Sequence, residues 1–295
     1  MTTLPTEERP LALATGARAD PGALAQSRGQ SGYGNLAAST GDATEADTGV
    51  LIRLLQLASP SLPVGGFSYS QGLEWAVESG VIRDAADSAA WIRALLEGPV
   101  GCADTAFLAR FQLAWRNPDA TQLLRLDRLF QASRESAELL AETRQMGWSM
   151  LSLSDALSAH RMGHAWLRIQ PVLAGLRAAE ASLSYPLVWS ALVVAAGLSL
   201  TQGLSVWLWS WLENQVLAAL KTVPLGQAAG QNLLLELGAL LPAIIARSVE
   251  AAGSGPGLAE WDPAMAEEDS PGTFAPAYAL ACARHETQYS RLFRS

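Results

Sequence analysis

Two histidines four residues apart, His160 and His164, are the first residues whose types and spacing could perform chemistry. Positions four apart share one face of a helix, so the two imidazoles could chelate a metal ion. A metalloprotease motif has a glutamate directly after the first histidine, where this chain has Arg161, and no third ligand is evident. The spacing therefore favours an exposed helix face. No metal ligand is assigned here or at His285, the remaining histidine.

A serine nucleophile is the second chemical possibility. Residues 66–70, Gly-Phe-Ser-Tyr-Ser, resemble the nucleophile elbow of hydrolases around Ser68. That elbow needs a final glycine and a preceding strand, and the sequence offers neither, so a hydrolase stays a weak alternative. A phosphate-binding loop is excluded, because its ending needs a lysine after a glycine and the only lysine, Lys221, follows Leu220.

The connection over residues 59–74 is the most unusual local sequence. Two prolines and the adjacent Gly65 and Gly66 prevent a helix there. A connection this long in a compact bundle is usually functional or disordered, and this one is too apolar for disorder. Two interpretations stay open: a rigid binding surface that carries hydroxyls and aromatic rings, or a plain helix connection in which Ser70 caps the next helix.

Two further segments carry side chains suited to binding a partner. After a helix that ends near Lys221, a turn at residues 224–226 starts a new helix, on which Gln227 and Gln231 present amides side by side. Residues 285–295 interleave Tyr, Leu and Phe with two arginines. Such side chains dominate binding hot spots, so we expect a tail that orders against a partner, although chain ends commonly fray.

The composition indicates that a buried helical framework positions these segments. Of the 295 residues, 49% are apolar and 16% are charged, and the formal net charge is −8. So much apolar surface excludes a wholly disordered chain, and the acidic balance disfavours nucleic-acid binding. Two distant cysteines exclude a disulfide scaffold, and reduced thiols without a visible export signal favour the cytosol.

Apolar residues recur with a helical period, and the sequence lacks alternating β-type runs. We therefore predict an all-α fold: a single-domain helical bundle over residues 50–295, with a disordered extension at residues 1–49 and a C-terminal tail. Asp84 or Asp87 is expected to cap one helix, and Asn117 to begin another.

An amphipathic helix is predicted over residues 118–150, with a break near Ser133. Its Leu and Phe residues would face the core, and Glu138 and Glu142 lie mostly on the opposite side. Farther along, the uncharged run 181–212 raises the alternative of an integral membrane protein, such as a nickel permease component. Internal Pro and Gly residues split that run into short pieces, which favours two central helices of a bundle instead.

Six separated motifs occur in a familiar order. With the loop, they include Ser133-Arg134-Glu135-Ser136-Ala137-Glu138-Leu139 and Arg144-Gln145-Met146-Gly147. Together they resemble the urease accessory protein UreF family, at residues 62–74, 133–139, 144–147, 209–215, 221–231 and 285–295. The resemblance extends from about residue 50 to the end.

The resemblance implies an all-α, dimeric, cytosolic assembly factor for the nickel enzyme urease that is not itself an enzyme. Members of the family join UreD, also called UreH, to the GTPase UreG on the urease apoprotein, and are thought to regulate GTP-dependent nickel delivery. No cofactor is expected to bind this chain directly, because nickel and GTP belong to its partners. Neither an arginine finger nor a nickel ligand is assigned.

The resemblance also suggests which side chains meet the partners. The loop residues expected on a UreG-facing surface of the dimer are Tyr69, Gln71 and Glu74. The second motif is expected to add to the same surface Lys221, Gln227 and Gln231. The tail residues expected to order against UreD are Tyr289, Arg291, Phe293 and Arg294.

Overall fold

A computed structural model describes residues 45–157, 163–180, 182–254 and 275–295. Within these ranges the secondary structure is helical, without a β-strand. The helices are α1 (Glu45–Ala58), α2 (Leu73–Glu78), α3 (Ala85–Glu97), α4 (Thr105–Arg116), α5 (Ala120–Ala132), α6 (Ala137–Ala156), α7 (Gly163–Ala179), α8 (Tyr185–Ala195), α9 (Leu200–Thr222), α10 (Gln227–Gly238), α11 (Leu241–Ser254) and α12 (Pro276–His285). The all-α prediction is confirmed.

Polar side chains cap the N-termini of several helices. The Asp84 carboxylate accepts a hydrogen bond from the Asp87 N–H at the start of α3, as one of the two predicted options. Asn117 is not the cap of the next helix; Asp119 takes that position and accepts from the N–H groups of the first turn. The predicted break near Ser133 is confirmed, because α5 ends there and Ser136 caps α6.

The centre of the bundle is built around α8, which packs against α4, α6 and α7. Nearly every residue of α8 is buried, as expected for a helix that is apolar on all sides. Trp115 of α4 lies against it, 1% exposed, and its indole Nε1 donates a hydrogen bond of 2.9 Å to the Leu187 carbonyl. The centre is therefore held mainly by apolar contacts.

The uncharged run 181–212 forms two helices, as the favoured interpretation predicted. The first, α8, has 11 residues, about 17 Å of helix, and is too short to cross a hydrocarbon core of about 30 Å. A glycine with positive φ, Gly197, then turns the chain into α9. Elsewhere in the described ranges, Gln227–Gly253 has the length and composition of a membrane span, by those criteria alone. A third of its most apolar window is buried, and the helix is interrupted between Gly238 and Leu241.

The histidine pair is only partly described. His160 lies outside the described residues, and His164 is exposed near the start of α7. Among the described residues, no group of three His, Cys, Asp or Glu side chains could hold a metal ion. At the other end, residues 45–49, which the sequence assigned to the extension, belong to α1, and residues 1–44 lie outside the described ranges.

The motif Arg144–Gly147 has a packing role. A side chain at Gly147 would place its Cβ 2.1 Å from the Leu183 carbonyl oxygen, so only glycine lets α6 approach the start of α8 this closely. Met146 is buried beside it, and Arg144 Nε donates to Gln131 Oε1 at 2.8 Å. The motif therefore anchors α6, the helix that carries two carboxylates of the candidate site.

Candidate partner-binding site

The loop before α2 is ordered by backbone conformations that few residues adopt. Gly65 and Gly72 have positive φ angles of 77° and 79°, and Gln71, at 54°, is the one described residue other than glycine with positive φ. A Cβ at Gly72 would lie 3.1 Å from the Cys282 amide nitrogen of α12. A non-glycine residue held in this conformation is strained, and such strain is typical of functional sites.

The tail lies against this loop. The Ser295 carbonyl oxygen accepts hydrogen bonds from the Ser70 N–H at 2.7 Å, the Gln71 N–H at 3.0 Å and the Ser70 hydroxyl at 2.6 Å. One residue earlier, the Arg294 N–H donates to the Ser68 carbonyl at 2.8 Å. Ser68 thus contributes its backbone carbonyl to the contact between the loop and the tail. The tail is ordered against its own chain, where the sequence led us to expect ordering against a partner.

Glu74 binds the middle of the tail. Its carboxylate accepts hydrogen bonds from the N–H groups of Leu292 at 2.6 Å and Phe293 at 2.9 Å. The fully buried His285 ring joins Glu74, 3.2 Å from Nε2, to Glu138, 2.6 Å from Nδ1. Glu138 also pairs with Arg291. His285 therefore bridges two carboxylates and has a structural role here.

A second carboxylate, Glu142, lies deeper. Gln71 Nε2 donates to its Oε1 at 2.7 Å, and the Ser295 hydroxyl donates to its Oε2 at 2.7 Å. Trp211 Nε1 in turn donates to Gln71 Oε1 at 2.7 Å. Burial raises the pKa of Glu142 to about 7, and the hydrogen bonds from Ser295 and Gln71 offset part of that rise.

We call this assembly the tail cluster, and its buried or half-buried members are Tyr69, Ser70, Gln71, Glu74, Glu138, Glu142, Trp211, Asn214, His285, Phe293 and Ser295. Asn214 Nδ2 donates to the Tyr69 carbonyl at 2.9 Å and so fastens the loop to α9. Burial raises the pKa of Tyr69, as does the charge of Glu142, whereas a hydrogen bond with Arg294 lowers it.

The structure brings most of the expected loop and tail residues together. Tyr69, Glu74 and Phe293 are 4%, 8% and 6% exposed, so they support the surface more than they form it. The exposed members of the expected sets are Lys221, Gln227, Gln231, Tyr289, Arg291 and Arg294. Lys221 joins the cluster, with its Nζ 5.3 Å from the centroid of the Phe293 ring. Gln227 and Gln231 lie on α10.

Sequence reasoning missed several members of the cluster. Glu142 is buried and Glu138 mostly buried, so the expectation that both lie on the side away from the core is wrong. Their spacing of four residues does place them on one helix face, and that face is covered by the tail. Trp211 and Asn214 lie in the motif at residues 209–215, but the motif did not show that they bind the loop, because their partners are far away in the sequence.

The fold and cluster define an all-helical protein with an ordered tail seated on a strained loop. A family model described as UreF matches residues 82–238. A urease accessory protein UreF of Dechloromonas aromatica (strain RCB) is 47% identical over 247 residues, covering 83% of this chain and 97% of the relative. One from Azoarcus sp. (strain BH72) is 47% identical over 245 residues, with 83% and 95% covered. The chain belongs to the UreF family of urease accessory proteins.

A further relative is longer than this chain. The bifunctional urease accessory protein UreEF of Bordetella bronchiseptica is 43% identical over 260 residues, which cover 88% of this chain and 55% of the relative. The chain therefore spans about half of that relative, whereas it spans nearly all of the two relatives named UreF.

Proposed function

We propose that this protein is a urease maturation factor that bridges UreD/UreH and the GTPase UreG on the urease apoprotein and regulates GTP-dependent nickel delivery. Membership of the UreF family supports the role in urease maturation. The absence of a lysine-bearing phosphate loop supports a GTPase supplied by a partner. The protein acts as a scaffold in the cytoplasm, as a homodimer, without catalysis or a cofactor of its own.

The observation that carries the proposal is the tail cluster. It holds a rigid backbone at the surface while leaving large side chains outside: Tyr289 is fully exposed and Leu292 is 64% exposed. An aromatic or apolar side chain presented on an already ordered backbone loses little conformational entropy when a partner covers it. Arg294, exposed beside these side chains, adds a positive charge that suits an acidic partner surface, whereas Arg291 already pairs with Glu138.

The loop and the tail belong to one hydrogen-bonded unit, which suits a bridge between two partners. Gln71 contacts the tail through its N–H and contacts α6 and α9 through its side chain. A partner that binds the tail therefore acts on the same backbone that positions the loop. This supports the assignment of UreD to the tail, and of UreG to the loop and the exposed residues Lys221, Gln227 and Gln231.

Copurification tests the proposal directly. The full chain, UreD and UreG are coexpressed and isolated with and without GTP and nickel, and a ternary complex is expected. In cells that lack this chain but have nickel, urease activity should be lost and should return when the chain is supplied. Normal urease activity in those cells, or catalysis by the isolated chain alone, would end the proposal.

A further inference from the structure

A cavity of about 150 Å³ lies beside the tail cluster, between the loop and helices α6, α8, α9 and α12. Part of its lining is apolar, including Leu62, Val64 and Met146. The C-terminal end of α1 borders it through Leu57 and Ala58. A cavity of this volume holds a molecule about the size of benzene.

One wall of the cavity is aromatic. The Trp207 ring packs on Tyr185 with centroids 5.0 Å apart and on Trp189 at 5.2 Å, and Trp211 lines the cavity as well. Trp207 Nε1 is buried and has no hydrogen-bond partner among the described residues. Flat aromatic faces attract other rings and cations, and the unpaired indole N–H is a donor that the carbonyl oxygen of an amide would satisfy.

Charged residues also line the cavity. Arg134 pairs with Asp104 at 2.8 Å and lies over the Phe130 ring, 4.1 Å from its centroid. Glu142 and Glu213 add two more acidic groups. Asp104 closes a turn of π-helix, Val100–Asp104, between α3 and α4. Such turns are frequent at functional sites, and here the turn delivers a carboxylate to the cavity wall.

These acidic and aromatic groups select the charge of a ligand. Asp104 is paired with Arg134, so the remaining acidic groups of the wall are Glu142 and Glu213. Burial raises the pKa of Glu142 to about 7, so above that pH its ionised form makes the wall disfavour an anion. In the ionised form of Glu142, each oxygen accepts one hydrogen bond from the protein and keeps a second lone pair for a donor. A donor-bearing planar group would therefore find a carboxylate at one end and aromatic faces around its ring.

We propose that this cavity is a binding site for a small planar aromatic molecule that carries an amidine or amide group, with Glu142 accepting its N–H hydrogen bonds. The site is separate from the exposed surfaces assigned to protein partners, and it does not depend on the proposed role in urease maturation. Its ligand is of the size of a single ring with one polar substituent.

Three probes of one shape and different charge test the proposal: benzamidine, benzamide and benzoate. Titration of each into the full chain at pH 8, where most of Glu142 is ionised, is followed by calorimetry and by tryptophan fluorescence. Benzamidine is expected to bind most tightly, benzamide next and benzoate least. Equal binding of all three, or no binding of benzamidine, would overturn the proposal.

Two pairs of variants locate the site. Glu142→Gln should weaken benzamidine by about tenfold or more, whereas the exposed Glu236→Gln should not change it. Ser210→Phe fills the cavity and should abolish binding of benzamidine and benzamide, whereas Ser205→Phe, on the same helix outside the cavity lining, should retain it. Circular dichroism and melting confirm folding of each variant. If Ser210→Phe fails to fold, the Glu142→Gln comparison decides, and an unchanged affinity there rejects the site.

Discussion

The centre of the bundle and the tail cluster are both buried, yet they are stabilised by different interactions. Around α8, apolar side chains pack on one another, and few polar groups depend on a partner. In the tail cluster, carboxylates, amides, a histidine and backbone N–H groups hold one another across more than 200 residues of sequence. The first region depends mainly on apolar packing, whereas the second depends on hydrogen bonds between buried polar and titratable groups.

This difference suits the two regions to different roles, a rigid framework and a surface that responds to binding. An apolar centre gives one rigid framework, because close packing leaves little alternative arrangement. A polar cluster is sensitive to each of its members, because a buried donor or acceptor without a partner is costly. A surface that must respond to binding is better placed on the second kind of structure than on the first. The four predictions below test that division.

The largest effect is expected at the centre. Trp115→Ala should lower the free energy of unfolding by about 3–5 kcal/mol, because it leaves a large cavity beside α8 and removes a donor from the Leu187 carbonyl. Denaturant unfolding measures the loss. The exposed Trp148→Ala is the matched control and should change little. Similar losses in the two variants would contradict the picture of a central core at α8.

The next largest effect is on the pH dependence of the free energy of unfolding, and it arises in the tail cluster. Because the pKa of Glu142 is raised from 4.5 to about 7 in the fold, its neutral form stabilises the protein fully below about pH 4.5. That contribution is lost as the pH rises through about 7, and it amounts to on the order of 3 kcal/mol. Glu142→Gln stays neutral, so it should flatten this part of the stability profile and be more stable than wild type at pH 8.

Unfolding curves at several pH values check this prediction. Other buried carboxyls, including Asp127, also have raised pKa values, so only the difference between the variant and the wild type is informative. Glu236→Gln, which removes only an exposed ion pair with Arg93 on α3, is the control and should change stability far less. A difference between Glu142→Gln and wild type that does not vary between pH 4.5 and 8 would be evidence against a buried, titrating Glu142.

Deleting residues 291–295 should affect partner binding more than folding. The helical content should stay close to wild type, because α4, α8 and α9 pack on one another without the tail. The denaturant midpoint should fall, because Ser70, Glu74 and Glu142 lose their tail partners. Binding to UreD should fall by about tenfold or more, as expected when anchor side chains are lost. Pull-down and circular dichroism measure the two outcomes, and unchanged UreD binding would reject the role of the tail.

The smallest effect is expected from one hydroxyl. Tyr69→Phe removes the hydrogen bond with Arg294 and should weaken tail docking by about 1 kcal/mol, without a cavity. Faster hydrogen exchange of the Arg294 amide, which bonds to the Ser68 carbonyl, reports the change. Tyr289→Phe is the control, because that ring is fully exposed. If the two variants exchange alike, the buried hydroxyl does not hold the tail.

Local signals in the sequence predicted the framework well. Capping by Asp84, the break near Ser133 and the division of the run 181–212 depend on neighbours within a few residues, and all three are confirmed. The prediction that Asn117 begins the next helix was wrong, because a better cap, Asp119, follows two residues later. The loop was identified as unusual from its glycines and prolines, and its positive φ angles agree with that.

The sequence by itself determined that the chain forms helices around an apolar core, because the periodicity, caps and breakers that specify helices act over a few residues. It also marked the loop and the tail as separate segments of unusual composition. Only the tertiary structure decided that they meet, that Glu142 faces inward, and that His285 bridges Glu74 and Glu138. The physical reason is that each of these pairs is joined through space, and a buried polar group is identified only when its distant partner is known.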